Sequence, residues 1–133
     1  MKILVVEDDP TNLKLISIIL SSGGHKVFDS VRAESALEIV KKEAPDIVLL
    51  DLVLPDMSGI VLAKIIKEDK QTSHIPIIAL TGYPDKFRQK DISFAGFDAY
   101  IVKPVSTNML TDMVEGVFAC RKKQDEETTS TEM

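Results

Sequence analysis

Five residues of this chain combine a reactive side chain with a position at which chemistry is possible: Glu7, Asp8, Asp51, Thr81 and Lys103. Asp51 ends the apolar run Ile47, Val48, Leu49, Leu50, inside the stretch Asp-Ile-Val-Leu-Leu-Asp-Leu-Val-Leu-Pro-Asp-Met-Ser-Gly over residues 46–59. Glu7 and Asp8 follow the apolar run 3–6, Thr81 follows 76–80, and Lys103 follows 98–102. Three carboxylates brought together repel one another, so the cluster needs a cation among them or raised pKa values. Oxygen ligands suit a hard ion, and a few protein oxygens completed by water suit Mg²⁺ better than Ca²⁺. Mg²⁺ in turn favours phosphate oxygens. Lys103 supplies a positive charge for a phosphoryl group and Thr81 a hydroxyl donor. Asp51 can then act as a nucleophile and carry the group as an aspartyl phosphate. The cation and Lys103 would offset charge on the transferring oxygens.

Those residues come from distant parts of the chain, so the elements before them must converge. Runs 3–6, 25–29, 47–50, 76–80 and 98–102 are short and rich in strand formers. The run before Asp51 has no polar interruption, as expected of a parallel strand buried on both faces. Helical spacing fills the intervals. Asp9 is an N-cap with Pro10 at the first helical position, and Leu13, Ile16 and Leu20 share one face. Leu15, Ile18 and Ile19 widen that stripe, which is either core or a docking face for a partner helix. Gly23-Gly24 stops the helix. The run 25–29 is less apolar and belongs nearer an edge.

Further helices are predicted over 33–43, closed by Pro45, over 60–70, and over 86–95 between an Asp85 cap and Gly96. A last one starts at a Thr107 cap and runs through Leu110, Met113, Val114, Val117 and Phe118. Asp56 is read as a turn residue. The order is βα repeated five times, an α/β class with a doubly wound parallel sheet and right-handed crossovers. Such sheets bind ligands outside the carboxyl ends of their strands, where these polar residues would meet.

Bulk properties exclude several classes. The chain has 133 residues, about one domain, and is 44% apolar. Its net charge of −5 argues against nucleic-acid binding. Cys120 is the only cysteine, and neither His25 nor His74 ends a predicted strand, so zinc is not expected. No apolar run approaches the roughly 18 residues of a membrane span. Nothing resembles a signal peptide, and a cytoplasmic location is expected. Residues 1–123 read as the folded domain and 124–133 as a disordered, acidic, Thr/Ser-rich tail.

Four motifs together resemble a response-regulator receiver domain: Val5-Val6-Glu7-Asp8-Asp9; Val48-Leu49-Leu50-Asp51 with Leu54-Pro55-Asp56-Met57-Ser58-Gly59; Ala79-Leu80-Thr81; and the run Ala95-Gly96-Phe97-Asp98-Ala99-Tyr100-Ile101-Val102-Lys103-Pro104. The resemblance is to the chemotaxis-regulator-like, stand-alone type and covers residues 2–123. It implies a flavodoxin-like (βα)5 fold with strand order 2-1-3-4-5. It implies that Asp51 is the phosphoacceptor and that Asp8, Asp51 and the Val53 backbone carbonyl hold Mg²⁺ (or Mn²⁺), with Glu7 acting through a water. Thr81 and Lys103 are implied to stabilise the phosphoryl group, and Thr81 with Tyr100 to form a switch pair. The Lys103-Pro104 bond is cis in many such domains. Glu7 stands where Asp is commoner, and Val53 offers no polar side chain near the phosphoryl group.

The implied donor is a histidine kinase or a histidine phosphotransfer protein. The implied output is protein–protein contact with a downstream target, from a monomer or weak homodimer. No enzymatic activity is implied beyond Mg²⁺-dependent self-phosphorylation and self-dephosphorylation. No output domain is expected after Lys123, although an isolated receiver of a larger regulator or hybrid kinase would read the same. An aspartate-nucleophile phosphatase would carry a second acid two residues after the first, where this chain has Val53. A non-phosphorylated scaffold would have lost an acid or the lysine, and neither is lost.

Overall fold

Strand-forming runs buried on both faces need helices on both sides of the sheet, and the computed structural model has that layering. It describes residues 1–82 and 96–132, residues 121–132 by backbone alone. In chain order the elements are β1 (Lys2–Val6), α1 (Pro10–Ser22), β2 (Lys26–Ser30), α2 (Ala33–Glu43), β3 (Ile47–Asp51), α3 (Gly59–Glu68), β4 (Ile77–Thr81), β5 (Ala99–Val102) and α4 (Thr107–Glu132). The helix expected over 86–95, with its Asp85 cap, lies outside the described residues. All strand pairs are parallel and the order is β2-β1-β3-β4-β5, as the resemblance implies.

Every residue of β3 and β4 is buried, and β1 is buried after Lys2. β2 lies at an edge and is only partly covered, as its lower apolar content predicts. Successive strand side chains alternate between faces. Leu4, Val6, Val48, Leu50 and Ala79 therefore pack with α2 and α3 through Ala36, Val40, Leu62 and Ile66. Ile3, Val5, Leu49, Ile78 and Leu80 pack with α1 and α4 through Leu13, Ile16, Leu20, Leu110 and Val114. The wide stripe on α1 is divided: Ile19 joins the core margin, while Leu15 and Ile18 are 50% and 53% exposed. Among the described residues no helix is long and apolar enough to cross a membrane.

The helix starts show how local and distant signals combine. The Asp9 carboxylate accepts from Thr11 N–H at 2.9 Å, with Pro10 opening α1. Ser58 accepts from Ile60 N–H and starts α3. α2 has no capping side chain of its own. Asp56 supplies one from the β3–α3 loop, accepting from Ala33 N–H at 2.9 Å and Glu34 N–H at 3.0 Å. These bonds hold the Asp56 carboxyl below the usual carboxylate range. Asp56→Ala is expected to lower the urea midpoint at neutral pH. The stabilisation is full above the unfolded pKa, about 3.9, and disappears as pH falls through the lower folded value. Equal midpoints for wild type and variant at pH 7 would show that the cap contributes nothing.

Several boundaries shift from the sequence expectation, among them β2 at Lys26–Ser30 rather than 25–29 and β4 at Ile77–Thr81 rather than 76–80. Ser106, not Thr107, caps α4: its hydroxyl accepts from Met109 N–H and its carbonyl from Leu110 N–H. Thr107 is already the first helical residue. α3 ends at Glu68 because the Asp69 carbonyl turns to Thr72 and Ser73 N–H. β5 begins after Asp98, whose carboxylate accepts from Ile77 N–H at 2.9 Å and faces Lys67 at 3.7 Å. The α4 backbone is helical as far as Glu132. Extending a nucleated helix adds one hydrogen bond per residue without a second nucleation cost, and Lys, Gln and Glu are fair helix formers.

Candidate functional site

Parallel register brings the strand ends level. Val6 pairs with Leu50, Asp51 with Leu80, and Thr81 with Val102. Glu7, one residue beyond β1, is held by its N–H on the Ser30 carbonyl at 3.0 Å. Lys103, one residue beyond β5, is held by its N–H on the Thr81 carbonyl at 2.8 Å. Glu7, Asp51 and Lys103 therefore meet at one sheet edge. The Lys103 ammonium donates to Asp51 Oδ2 at 2.9 Å and to Glu7 Oε1 at 2.8 Å. It also lies 2.7 Å from Glu7 Oε2. That second oxygen is buried and has no well-aimed hydrogen-bond donor. Asp51 Oδ1 accepts from Val53 N–H at 3.0 Å.

One oxygen each from Glu7, Asp8 and Asp51 lies within 4.8 Å of the others. Glu7 is fully buried, Asp51 is 4% exposed, and Asp8 is open to solvent. Oxygen donors around an acidic hollow, one buried oxygen lacking an aligned donor, and one acid open to water together fit a small hard divalent ion. The hollow, about 390 Å³, is lined by Glu7, Asp8, Asp9, Asn12, Asp51, Val53, Gly82 and Lys103. Among the described residues no other group of three acidic, His or Cys side chains converges in this way.

Crowding sets the proton balance. Burial pushes Glu7 up to about 7; the Lys103 hydrogen bond works against this, and Asp51 adds to it by repulsion. Burial and the Asp51 charge also raise Asp8. Burial disfavours the Lys103 ammonium, yet its hydrogen bonds to Glu7 and Asp51 outweigh that and hold its pKa above the ordinary lysine value. Glu7 carries a pH prediction. Between its ordinary value of 4.5 and about 7, the folded metal-free protein binds a proton that the unfolded chain has lost. Its contribution to stability therefore falls as pH rises through that window. Urea midpoints in chelator should decline from pH 5 to pH 8 more steeply for wild type than for Glu7→Gln. Parallel profiles would show that Glu7 does not titrate there.

The structure brings together Glu7, Asp8, Asp51, Lys103 and the Val53 backbone. Thr81 ends β4 at 2% exposure and reaches the site through its carbonyl, but its side chain is not among those lining the hollow. Tyr100 stands apart on β5, 39% exposed. The Lys103-Pro104 bond is cis. Sequence reasoning missed Asn12, although the first turn of α1 must sit at this sheet edge. It also missed Gly59, whose backbone lies directly against that of Asp51.

Residues 3–115 match the family described as response regulator receiver domain. The polar-differentiation response regulator DivK of Brucella ovis is 31% identical over 113 residues, 85% of this chain and 92% of that protein. A CheY-like receiver domain protein from Methanospirillum hungatei superposes with a TM-score of 0.84 at 28% identity, over 92% of this chain and 97% of the other. The receiver domain of a sensor histidine kinase from Pseudomonas aeruginosa superposes at 0.82 with 27% identity, over 89% and 97%. That structure has a magnesium ion coordinated in its active-site cleft.

Proposed function

Because this chain belongs to the response-regulator receiver family of two-component systems, we propose that it accepts a phosphoryl group on Asp51 from a phosphohistidine donor. The observation that carries this reading is the Lys103 ammonium bridging Asp51 and Glu7, with Asp8 beside them at the mouth of the hollow. In the transfer, a carboxylate oxygen of Asp51 bonds to phosphorus as the phosphorus–nitrogen bond breaks, and the electron pair returns to the donor imidazole.

Asp8, Asp51 and the Val53 carbonyl would hold Mg²⁺ or Mn²⁺, with Glu7 acting through a water. Such an ion supplies charge compensation for the phosphoryl oxygens. Lys103 exchanges a carboxylate partner for a phosphoryl oxygen, which needs only a small movement of a flexible stem. Val53 N–H orients the acceptor carboxylate. Thr81 then turns its hydroxyl to the phosphoryl group, and Tyr100 swings inward from its exposed position. Output is contact with a downstream protein by a cytoplasmic monomer or weak homodimer. The receiver unit is residues 1–123, and its donor is a histidine kinase or histidine phosphotransfer protein.

The test is intact mass after incubation with acetyl phosphate or phosphoramidate, with Mg²⁺ or with chelator. A hydroxylamine-labile phosphoryl adduct that requires the cation is expected. Absence of that adduct with small donors and also with purified phosphohistidine proteins would overturn the reading.

A further inference from the structure

We infer that the Asn12 side-chain amide holds the water that hydrolyses the aspartyl phosphate, and so sets its lifetime. This rests on the acceptor reading of Asp51. Asn12 is half-buried in the first turn of α1 and lines the reactive hollow. It also lines the adjoining apolar groove with Leu15, Ile16, Lys103, Pro104 and Val105, so it stands where the two hollows meet.

The chemistry of the other described lining residues leaves the task to Asn12. With the cation bound, Glu7 and Asp8 are carboxylates that accept only: Glu7 pairs with Lys103, and Asp8 belongs to the acid cluster that would hold the ion, while Asp51 carries the phosphoryl group. The Asp9 carboxylate is bound to Thr11 N–H. Lys103 donates only, and it is shared between two acids. Val53 and Gly82 have no polar side-chain atom. Among the described residues that line the hollow, the Asn12 amide is the neutral group that can both accept from a water and donate to a phosphoryl oxygen, while the Thr81 hydroxyl is taken up by the phosphoryl group itself. In the step itself, the water oxygen bonds to phosphorus as the phosphorus–oxygen bond to Asp51 breaks. The electron pair leaves with the carboxylate, the water proton passes to solvent, and inorganic phosphate is released.

The experiment loads the 133-residue chain with acetyl phosphate in Mg²⁺, removes the donor, and follows loss of the adduct by intact mass. Asn12→Leu is expected to slow that loss roughly tenfold, as for one lost hydrogen bond to a charged group. Asn12→Gln, which keeps the amide, should recover most of the rate. Thr11→Ala, exposed on the same helical turn and outside the hollow, should leave the rate at the wild-type value. Mg²⁺ affinity of the unphosphorylated Asn12→Leu protein should match wild type. A decay within about twofold of wild type for Asn12→Leu, equal slowing by Thr11→Ala, or a parallel loss of Mg²⁺ affinity would each overturn the role of Asn12. Failure of wild type to load from either a small donor or a phosphohistidine protein would instead overturn the acceptor reading.

Discussion

Asp51→Asn is expected to abolish the phosphoryl adduct and, in the absence of divalent cation, to raise stability. Loss of the adduct follows because the amide cannot attack phosphorus as a carboxylate does. The gain in stability follows from the charge count at the sheet edge. Glu7, Asp8 and Asp51 gather around one ammonium, and the Asp51 charge pushes both other acids up. Removing it leaves Lys103 paired to Glu7, with less repulsion to contain. A gain of roughly 1 kcal/mol is expected, the scale of one like-charge contact about 4 Å apart beside water. Saturating Mg²⁺ should reverse the ranking, because wild type gains by mass action and the variant binds the ion more weakly. Thermal unfolding with chelator and with Mg²⁺ reads both effects. An adduct of full yield on Asp51→Asn would place the acceptor elsewhere. A less stable variant in chelator would show that the Lys103–Asp51 pair outweighs the repulsion.

Gly59→Ala should be the most damaging single-methyl change in the described chain. A Cβ there would sit 2.2 Å from the Asp51 carbonyl oxygen and 2.8 Å from the Leu52 Cα. The obstacle is backbone, so no rotamer change relieves it. Gly59 N–H also donates to the Leu52 carbonyl at 2.9 Å, which ties the start of α3 to the end of β3. Either α3 retreats or the loop after Asp51 moves. The expected cost is about 3 kcal/mol, at the upper end for overpacking. Moving the loop would also disturb the Val53 N–H that orients Asp51, so each folded molecule should accept phosphate more slowly. Gly116→Ala is the control. Nothing lies within 4 Å of its added methyl in α4, and helix propensity predicts a small gain of roughly 0.5–1 kcal/mol. Denaturant midpoints of the two variants decide the matter. A wild-type midpoint for Gly59→Ala would mean that the close approach is not a constraint.

The sequence by itself determined the class of fold and the acids of the site. Periodicity settles whether a segment is strand or helix, because it is a property of one short stretch. Five apolar runs alternating with helical spacing leave a parallel sheet as the economical topology, and parallel strands place their carboxyl ends on one edge. Glu7, Asp8, Asp51 and Lys103 could therefore be grouped without knowing which strands are neighbours. That order, β2-β1-β3-β4-β5, came from resemblance, since strand composition alone does not state who pairs with whom.

Tertiary structure decided whatever depends on two distant backbones meeting. Asp56 looked like a turn residue because its partners, Ala33 and Glu34, lie on another helix. Gly59 stood in the sequence as the last residue of a motif, although its constraint is the neighbouring Asp51 carbonyl. Asn12 carried no local signal at all, since a polar residue in a first turn is ordinary until the hollow beside it is known. The raised pKa of Glu7 is of the same kind: a carboxylate in a sequence has an ordinary affinity for protons, and only burial beside another acid changes it.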